Sequence, residues 1–275
     1  KKLNFAIWSR PVVNIYGYNL VLEYLLRKKL KVIGRQHGAN YIDCISQNQH
    51  FDMDFNRCTE WLSFGANEST FKKTYGFNKK LCKIIPAGNE NKLKKNNLEK
   101  KIDILFPIQS LNDFINSRPI EKELFINHKL ILSELNKRKK NSVCIKPGLG
   151  MKNSISEEYL FKNFKNLKIN QYYSLKKYLK IYSPNLIILD WYSTPLYEIL
   201  ELDVDIFIIN ESVEKISNYA KKKLKKRVFI FENIKSLTKA IKNYDSKKIK
   251  KLRDKSFYKT YVNNGDLKST LGKII

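Results

Sequence analysis

A turn rich in acid and hydroxyl side chains stands out in the second half of the chain. Asp190, Ser193 and Thr194 follow a short apolar run, and Glu198 comes one helical turn after Thr194. A helix that starts after a buried strand turns backbone N–H groups towards an anion, and serine and threonine hydroxyls add further donors. The pattern fits a phosphate-bearing ligand. A second interpretation, in which Ser193 or Thr194 only caps the helix, stays open.

A second cluster of candidates surrounds Arg35, His37 and Gly38. His37 is the candidate general base because the pKa of an imidazole lies near neutrality, and Gly38 lets the backbone pass close to a ligand. Among the three histidines, we prefer His37 to His50 and His128 because it follows a predicted parallel strand. The alternative is a histidine that only orders its own turn.

The third cluster is Lys146 with Pro147, Gly148 and Gly150. A lysine there supplies a flexible cation for a phosphate, while proline and glycine favour a sharp turn. A solvated lysine beside an ordinary turn is the alternative. The sequence contains neither a Walker A loop nor a G-x-G-x-x-G fingerprint, so it gives no support to dinucleotide-dependent dehydrogenase chemistry.

Apolar runs that alternate with helical patterns must position these clusters, which predicts parallel sheets. A lysine- and asparagine-rich stretch at 88–101 reads as a linker. We therefore expect an α/β protein with two Rossmann-like domains: an acceptor-side domain with its linker at 1–98, and a nucleotide-binding domain with a closing helix at 99–275. Because the sequence begins with Lys1 and not Met, the first domain is expected to be truncated.

The predicted elements are read from the period of the apolar positions. Strands are expected at 4–8, 31–35, 60–64, 81–85, 102–108, 142–146, 167–169, 186–189, 204–209 and 228–231. Helices are expected at 14–29, 121–138, 157–164, 175–182, 234–244 and 245–261. The last helix could cross back to the first domain, or its lysine face could rest on anionic lipid.

The net charge of +27 and the pI near 9.8 would suit nucleic acid or an anionic membrane. However, the basic runs at 92–101, 137–140 and 221–227 lack the interleaved aromatic residues of a single-strand binding surface. We interpret them first as solvated surface, then as sites of lipid attraction, and only last as nucleic-acid contacts.

The four cysteines have no close pair and no histidine at ligand spacing, which argues against a structural zinc site. They fit reduced, buried side chains in the cytoplasm. Since no apolar run approaches the roughly 18 residues that span a bilayer, we expect any membrane contact to be peripheral.

The order of a His-Gly loop, a Lys-Pro turn after a strand, and a Ser-Thr turn followed by Glu resembles one family. These are the bacterial surface-polysaccharide transferases of GT-B type, which include CDP-glycerol glycerophosphotransferases and capsule and lipopolysaccharide glycosyltransferases. The segment Trp61-Leu62-Ser63-Phe64-Gly65 also resembles the strand that follows the His-Gly loop in surface-carbohydrate transferases. The resemblance spans roughly residues 35–210.

The resemblance implies a role for each cluster. His37 would act as base or phosphate contact, with Arg35 and Gly38 beside it. Lys146 would pair with the donor diphosphate, which by the resemblance is also held by the turn from Asp190 through Ser193 and Thr194. Glu198 would accept a hydrogen bond from the ribose.

The sequence thus predicts a cytoplasmic glycosyltransferase whose two domains close on a nucleotide-activated sugar and a glycan or lipid-linked acceptor. Transfer of glycerol or polyol phosphate is the alternative within the same family. A noncatalytic basic module that binds nucleic acid or membrane is the alternative outside it, and an inactive remnant is a third. The Asp-x-Asp pairs at 52–54 and 203–205 are discounted as metal sites because of where the predicted elements place them, so we expect no cofactor and no metal.

Overall fold

The structure is a computed structural model. It describes residues 5–8, 16–36, 38–39, 41–44, 55–75, 82–89, 93, 100–108, 121–139, 142–147, 158, 162–164, 166–170, 173–210 and 216–274. Within these ranges, no helix combines the length and the apolar character that a membrane crossing requires.

The chain divides into two compact units, each with its own parallel sheet. The first unit comprises Lys1–Lys92, Glu214–Leu224 and Lys255–Ile275, and the second comprises Leu93–Val213 and Lys225–Asp254. The chain therefore returns to the first unit twice, whereas the sequence analysis expects one boundary, after residue 98.

In the part of the first unit that the structure describes, four parallel strands lie in the order β1-β2-β3-β4. They are β1 (Phe5–Trp8), β2 (Lys31–Arg35), β3 (Glu60–Ser63) and β4 (Lys83–Pro86), with helices α1 (Tyr16–Arg27) and α2 (Glu68–Tyr75) and a 3₁₀ turn at Phe55–Arg57. All four strands lie within two residues of their predicted bounds. The described end of the linker, from residue 100, already belongs to the next strand.

The centre of this sheet depends on close contact between a glycine and a tryptophan. A Cβ atom on Gly34 would lie 2.4 Å from the Cε3 atom of Trp61, so only glycine fits there. Trp61 is 1% exposed, and its ring stacks on Tyr41 with 5.4 Å between centroids. This packing fixes β3 beside β2, and it fixes the loop that follows β2 as well.

Among the described residues of the second unit, six parallel strands lie in the order β7-β6-β5-β8-β9-β10. They are β5 (Lys100–Ile108), β6 (Val143–Pro147), β7 (Lys168–Ile169), β8 (Tyr182–Leu189), β9 (Asp205–Ile209) and β10 (Phe229–Phe231). The helices of this unit are α3 (Glu121–Asn136), α4 (Leu175–Leu179), α5 (Thr194–Ile199) and α7 (Ile234–Lys242). Numbered along the chain from β5, the strand order is 3-2-1-4-5-6, which is the dinucleotide-fold arrangement.

Inner strands of the second sheet are buried on both faces, as the apolar runs of the sequence predict. Every residue of β6 and β9 is buried, because helices cover both sides of a doubly wound sheet. The core brings β5, β6, β8 and β9 together with residues of α3 and α7, among them Phe106, Ile131, Phe207 and Leu237.

The end of the chain differs from the prediction. In place of one helix at 245–261, residues 250–255 are not helical. They are followed by a π-helix at Tyr258–Val262 and by α8 (Leu267–Ile274). This last part belongs to the first unit together with α6 (Asn218–Leu224). There the backbone N–H of Asn264 donates to the carbonyl of Phe64 at 3.0 Å, and Lys31 donates to the carbonyl of Ile274 at 3.0 Å.

Two smaller predictions were also wrong. Tyr182 was placed at the end of a helix but begins β8, because the helix ends early and the apolar run extends backwards into the strand. Arg227 was placed in a solvated basic run but is 2% exposed. Half of the predicted helix at 157–164 and most of the linker lie outside the described residues.

Candidate functional site

The carboxyl edge of the second sheet has one position where the direction of winding reverses, between β5 and β8. The chain runs outward from β5 through β6 to β7 on one side of this position. It then returns to β8 and runs outward through β9 to β10 on the other side. Ligands of open α/β sheets bind in the crevice outside the strand ends at such a position. The turn predicted at Asp190 to Thr194 follows β8 and therefore lies at this switch point.

Lys146 reaches the same edge from the other side. It pairs with Pro107 on β5, while Leu105 on β5 pairs with Ile187 on β8. Continuing that register by two residues places Pro107 level with Leu189, directly before Asp190. Lys146 and the Asp190 turn are thus two strands apart, a backbone separation of about 10 Å. A nucleoside diphosphate could contact both.

The turn itself is held by its aromatic residues. Trp191 is 3% exposed and Tyr192 is completely buried, so the two rings anchor the segment between β8 and α5. Ser193 is the N-cap residue of α5, yet its side chain makes no capping hydrogen bond. The capping interpretation of Ser193 is therefore wrong, and its hydroxyl is not used by the helix. Since α5 has only six residues, its dipole is a minor attraction for an anion.

Asp190 is bonded to a residue that the sequence analysis set aside. His128 on α3 is completely buried, and its Nε2 forms a hydrogen bond of 2.6 Å with Oδ2 of Asp190. The Asp190 side chain is 4% exposed. The predicted ligand-binding aspartate thus has its carboxylate directed at a helix of its own unit. No spacing in the sequence links residues 128 and 190, so the pair could only be found in the structure.

Lys146 is 3% exposed, and its ammonium donates a hydrogen bond to the carbonyl of Pro147. Burial lowers the pKa of Lys146, and the neighbouring Cys144 thiol opposes that effect. The interpretation of Lys146 as a solvated surface lysine is therefore wrong. A buried cation with a neutral partner is stabilised by an arriving anion. Gly148 and Gly150 lie outside the described residues.

Glu198 lies on α5, half-buried behind the turn. Burial raises the pKa of its carboxyl, and Lys176 on α4 partly offsets that rise. A carboxylate in such surroundings is a stronger hydrogen-bond acceptor than one in water. The sequence prediction of a ribose contact stays a prediction.

In the first unit, the predicted cluster begins at the end of β2. Arg35 is the last residue of β2 and pairs with Leu62, and Gly38 is buried in the loop that follows. His37 lies outside the described residues. Gln36, which lies between Arg35 and His37 in the sequence, is 3% exposed. Its side chain bonds to both Gly38 and Phe64, a role that the sequence did not predict.

The Asp-x-Asp pair that ends at Asp205 lies at the opposite, amino edge of the second sheet. Asp205 begins β9, is 1% exposed and bonds to Tyr244 at 3.0 Å and Lys251 at 2.6 Å. Its oxygens are therefore engaged in a structural ion-pair network. The pair at 52–54 lies outside the described residues. Among the described ranges, no group of three or more histidine, cysteine, aspartate or glutamate side chains could hold a metal ion.

Comparisons with known proteins define the fold. No family profile matches this sequence, and no curated protein is similar to it in sequence. Among solved structures, sucrose-phosphate synthase from Thermosynechococcus elongatus matches with a TM-score of 0.58 at 10% identity, over 98% of this chain and 72% of its own. The complex of S. aureus MnaA with UDP matches with a TM-score of 0.56 at 8% identity, over the same shares. At such identities the likeness establishes the fold alone, and it confirms an α/β protein of GT-B type with two Rossmann-like units.

Proposed function

We propose that this protein is a glycosyltransferase that uses a nucleotide-activated sugar in the synthesis of bacterial surface polysaccharide. The observation that carries the proposal is the placement of Lys146 and the Ser193 turn on one edge of the second sheet, on either side of the switch point. The similarity to a synthase of a sugar phosphate and to a UDP complex supports it.

The donor diphosphate would lie across the switch point. Lys146 pairs with its charge, and the hydroxyls of Ser193 and Thr194 donate to its oxygens. Glu198 accepts from a ribose hydroxyl. Asp190 shapes the turn through its bond to His128 and does not itself touch the anion. The second unit is thus the donor-binding unit.

His37 is proposed as the base that deprotonates the acceptor hydroxyl, an effect of about 10² to 10⁴ in rate. Gly38 leaves room for the acceptor, and Arg35 holds negative charge nearby. The side chain of Gln36 bonds to both Gly38 and Phe64 and so ties the described part of the loop after β2 to the end of β3. The reaction is proposed to need neither a metal ion nor a cofactor.

The acceptor is proposed to be a growing glycan or a lipid-linked sugar at the inner face of the membrane. A cytoplasmic enzyme with a net charge of +27 would be attracted to that anionic surface and to its substrate there. Nucleic acid is not proposed as a partner. Transfer of glycerol or polyol phosphate would use the same donor site, so the choice of donor decides between the two transferase classes.

Thermal unfolding of the purified protein with UDP, CDP, GDP, CMP and their sugar or polyol conjugates tests the proposal. We expect stabilisation by one nucleoside diphosphate, because a ligand of the folded state raises the unfolding temperature, and loss of that shift in Lys146→Ala and Ser193→Ala. Stabilisation by CDP-glycerol alone would favour polyol-phosphate transfer. Cooperative unfolding with no shift for any nucleotide would overturn donor binding, and binding to RNA or anionic vesicles that weakens steeply with salt would then favour the noncatalytic basic module.

A further inference from the structure

The pair of His128 and Asp190 bridges the two sides of the switch point. His128 belongs to α3, the helix that follows β5, and Asp190 directly follows β8. Nε2 of His128 lies 2.6 Å from Oδ2 of Asp190, and the two side chains are 0% and 4% exposed. The hydrogen bond therefore ties α3 to the first residue of the donor turn, which comprises residues 190–194.

Packing α3 against the turn through a buried polar pair carries a desolvation cost that apolar side chains would not carry. Burying an imidazole and a carboxylate removes both from water, and two apolar side chains of similar size would commonly be as stable or more so. Among the described residues, Nδ1 of His128 also has no hydrogen-bond partner, which adds to that cost. The ring of Phe106 packs edge-on against His128 at 6.0 Å between centroids and confines the imidazole. Packing alone therefore does not account for this pair, and a role in holding the turn does.

The direction of the bond matters for the ligand. It engages Oδ2 of Asp190 with His128 on α3, so that a donor partner offsets a negative charge that would otherwise repel a diphosphate. It also fixes the start of the turn whose fourth residue is Ser193, the N-cap residue whose hydroxyl the helix leaves unused.

We propose that His128 is a positioning residue of the donor site: through its bond to Asp190 it holds the turn in the conformation that presents Ser193 to the donor diphosphate. The inference rests on the proposed function, since it concerns the same site. His128 does not touch the ligand in this account, so all of its effect passes through Asp190.

Two substitutions of His128, one that keeps a hydrogen-bond donor and one that does not, separate a positioning role from a packing role. His128→Gln keeps an N–H group at the place of Nε2, whereas His128→Leu fills a similar volume without one. Titration calorimetry with UDP, CDP and GDP gives the dissociation constant of each variant, and urea unfolding gives its stability. We expect His128→Gln to bind like the unaltered protein, and His128→Leu to bind about tenfold more weakly, as befits the loss of one buried hydrogen bond.

A double-variant cycle tests whether the effect passes through Asp190. In the Asp190→Ala background, His128→Leu is expected to weaken binding by less than about twofold, because the bond is already lost. Equal affinity for His128→Leu and the unaltered protein would overturn the inference, as would losses that multiply in the double variant. A role confined to packing would change the unfolding free energy and leave the affinity as it was.

A measurement on the unaltered protein covers the case in which His128→Leu does not fold. The chain has three histidines, so the imidazole resonance absent from His128→Gln is that of His128. Saturation with the bound nucleotide is expected to shift it, because the turn and the pair tighten together. Nucleotide binding with an unmoved His128 resonance would overturn this inference and leave the proposed function standing. Failure of UDP, CDP, GDP, CMP and their sugar or polyol conjugates to bind would overturn both.

Discussion

The side-chain oxygen of Gln36 accepts a hydrogen bond of 3.0 Å from the backbone N–H of Phe64, which joins the ends of β2 and β3. The amide nitrogen of the same side chain donates to the carbonyl of Gly38 at 2.7 Å. The buried amide of Gln36 therefore holds Gly38, which follows His37 in the sequence, and ties this loop to the end of β3. Gln36, which lies between the candidate binding residue Arg35 and the candidate base His37 in the sequence, thus supports the loop after β2.

Replacing Gln36 with alanine is expected to lower the free energy of unfolding by about 2 to 4 kcal/mol, because it leaves a buried donor and a buried acceptor unpaired. Urea unfolding followed by circular dichroism measures the change. Lys72→Ala, at an exposed position on α2, is the control and should change stability by less than about 0.5 kcal/mol. A similar small change for Gln36→Ala would mean that the loop does not depend on this side chain.

We expect Lys146 to lower the free energy of unfolding and, as proposed above, to bind the nucleoside diphosphate. Burial lowers the pKa of its ammonium, which shows that the charged form is less stable in the folded protein than in water. Methionine would carry no such charge. We expect Lys146→Met to raise the unfolding free energy by about 1 kcal/mol and to abolish nucleoside diphosphate binding. Lys168→Met on the neighbouring β7, where the residue is exposed, should alter neither quantity. A destabilised Lys146→Met that still binds nucleotide would contradict the assignment.

Glu198 makes stability depend on pH. Burial raises the pKa of its carboxyl above the ordinary 4.5, so between 4.5 and the raised value the folded state keeps a proton that the unfolded chain releases. Stability should therefore fall as the pH rises through this window, and the loss should be complete above the raised pKa. Glu198→Gln should remove this fall and be the more stable protein at pH 7.

Urea unfolding of both proteins at several values between pH 4.5 and 7.5 provides the comparison for Glu198. Glu123→Gln on α3, at an exposed position, is the matched control and should keep the unaltered profile. If the profile of Glu198→Gln follows that of the control, Glu198 does not ionise at a cost in the folded protein.

Arg227 is expected to be among the most sensitive positions of the fold. Its guanidinium donates to four backbone carbonyls, of which those of Leu202 at 2.6 Å and Val204 at 3.0 Å lead into β9. Burial lowers its pKa to about 10. Arg227→Ala should cost about 3 to 5 kcal/mol, and Arg227→Lys should recover only part of that because an ammonium cannot match the planar fork.

The exposed neighbour Lys226 provides the matched control for Arg227, because both lie in one basic run. Guanidinium chloride unfolding should show Lys226→Ala within about 0.5 kcal/mol of the unaltered protein. Equal midpoints for Arg227→Ala and Lys226→Ala would show that the carbonyls of this segment find other donors.

The strands were predictable because burial on both faces leaves a direct mark on the sequence. The runs that became β6 and β9 are apolar apart from Lys146 and Asp205. Asp205 belongs to an ion-pair network, and Lys146 is the residue proposed to bind the donor diphosphate. The position of Lys146 and Ser193 near the carboxyl edge was also predictable, since the end of a strand is visible in the sequence as the end of an apolar run.

What the sequence could not give are contacts between distant segments. Arg227 looks like any residue of a lysine run, and only the carbonyls of Leu200 and Leu252 around it reveal its burial. His128 looks like a helix residue without a partner until β8 brings Asp190 beside α3. The predicted helix at 245–261 failed for the same reason: Arg253 reaches Asp203 and Asp205 from a segment without helical turns.

Calorimetric titration of the unaltered protein and of Lys146→Met with the nucleoside diphosphate that stabilises the fold tests the central claim most directly. We expect one saturable site in the unaltered protein, loss of measurable binding in Lys146→Met, and retained binding in Lys168→Met. Absence of binding to the unaltered protein, or equal affinity in Lys146→Met, would contradict a donor site at the carboxyl edge of the second sheet.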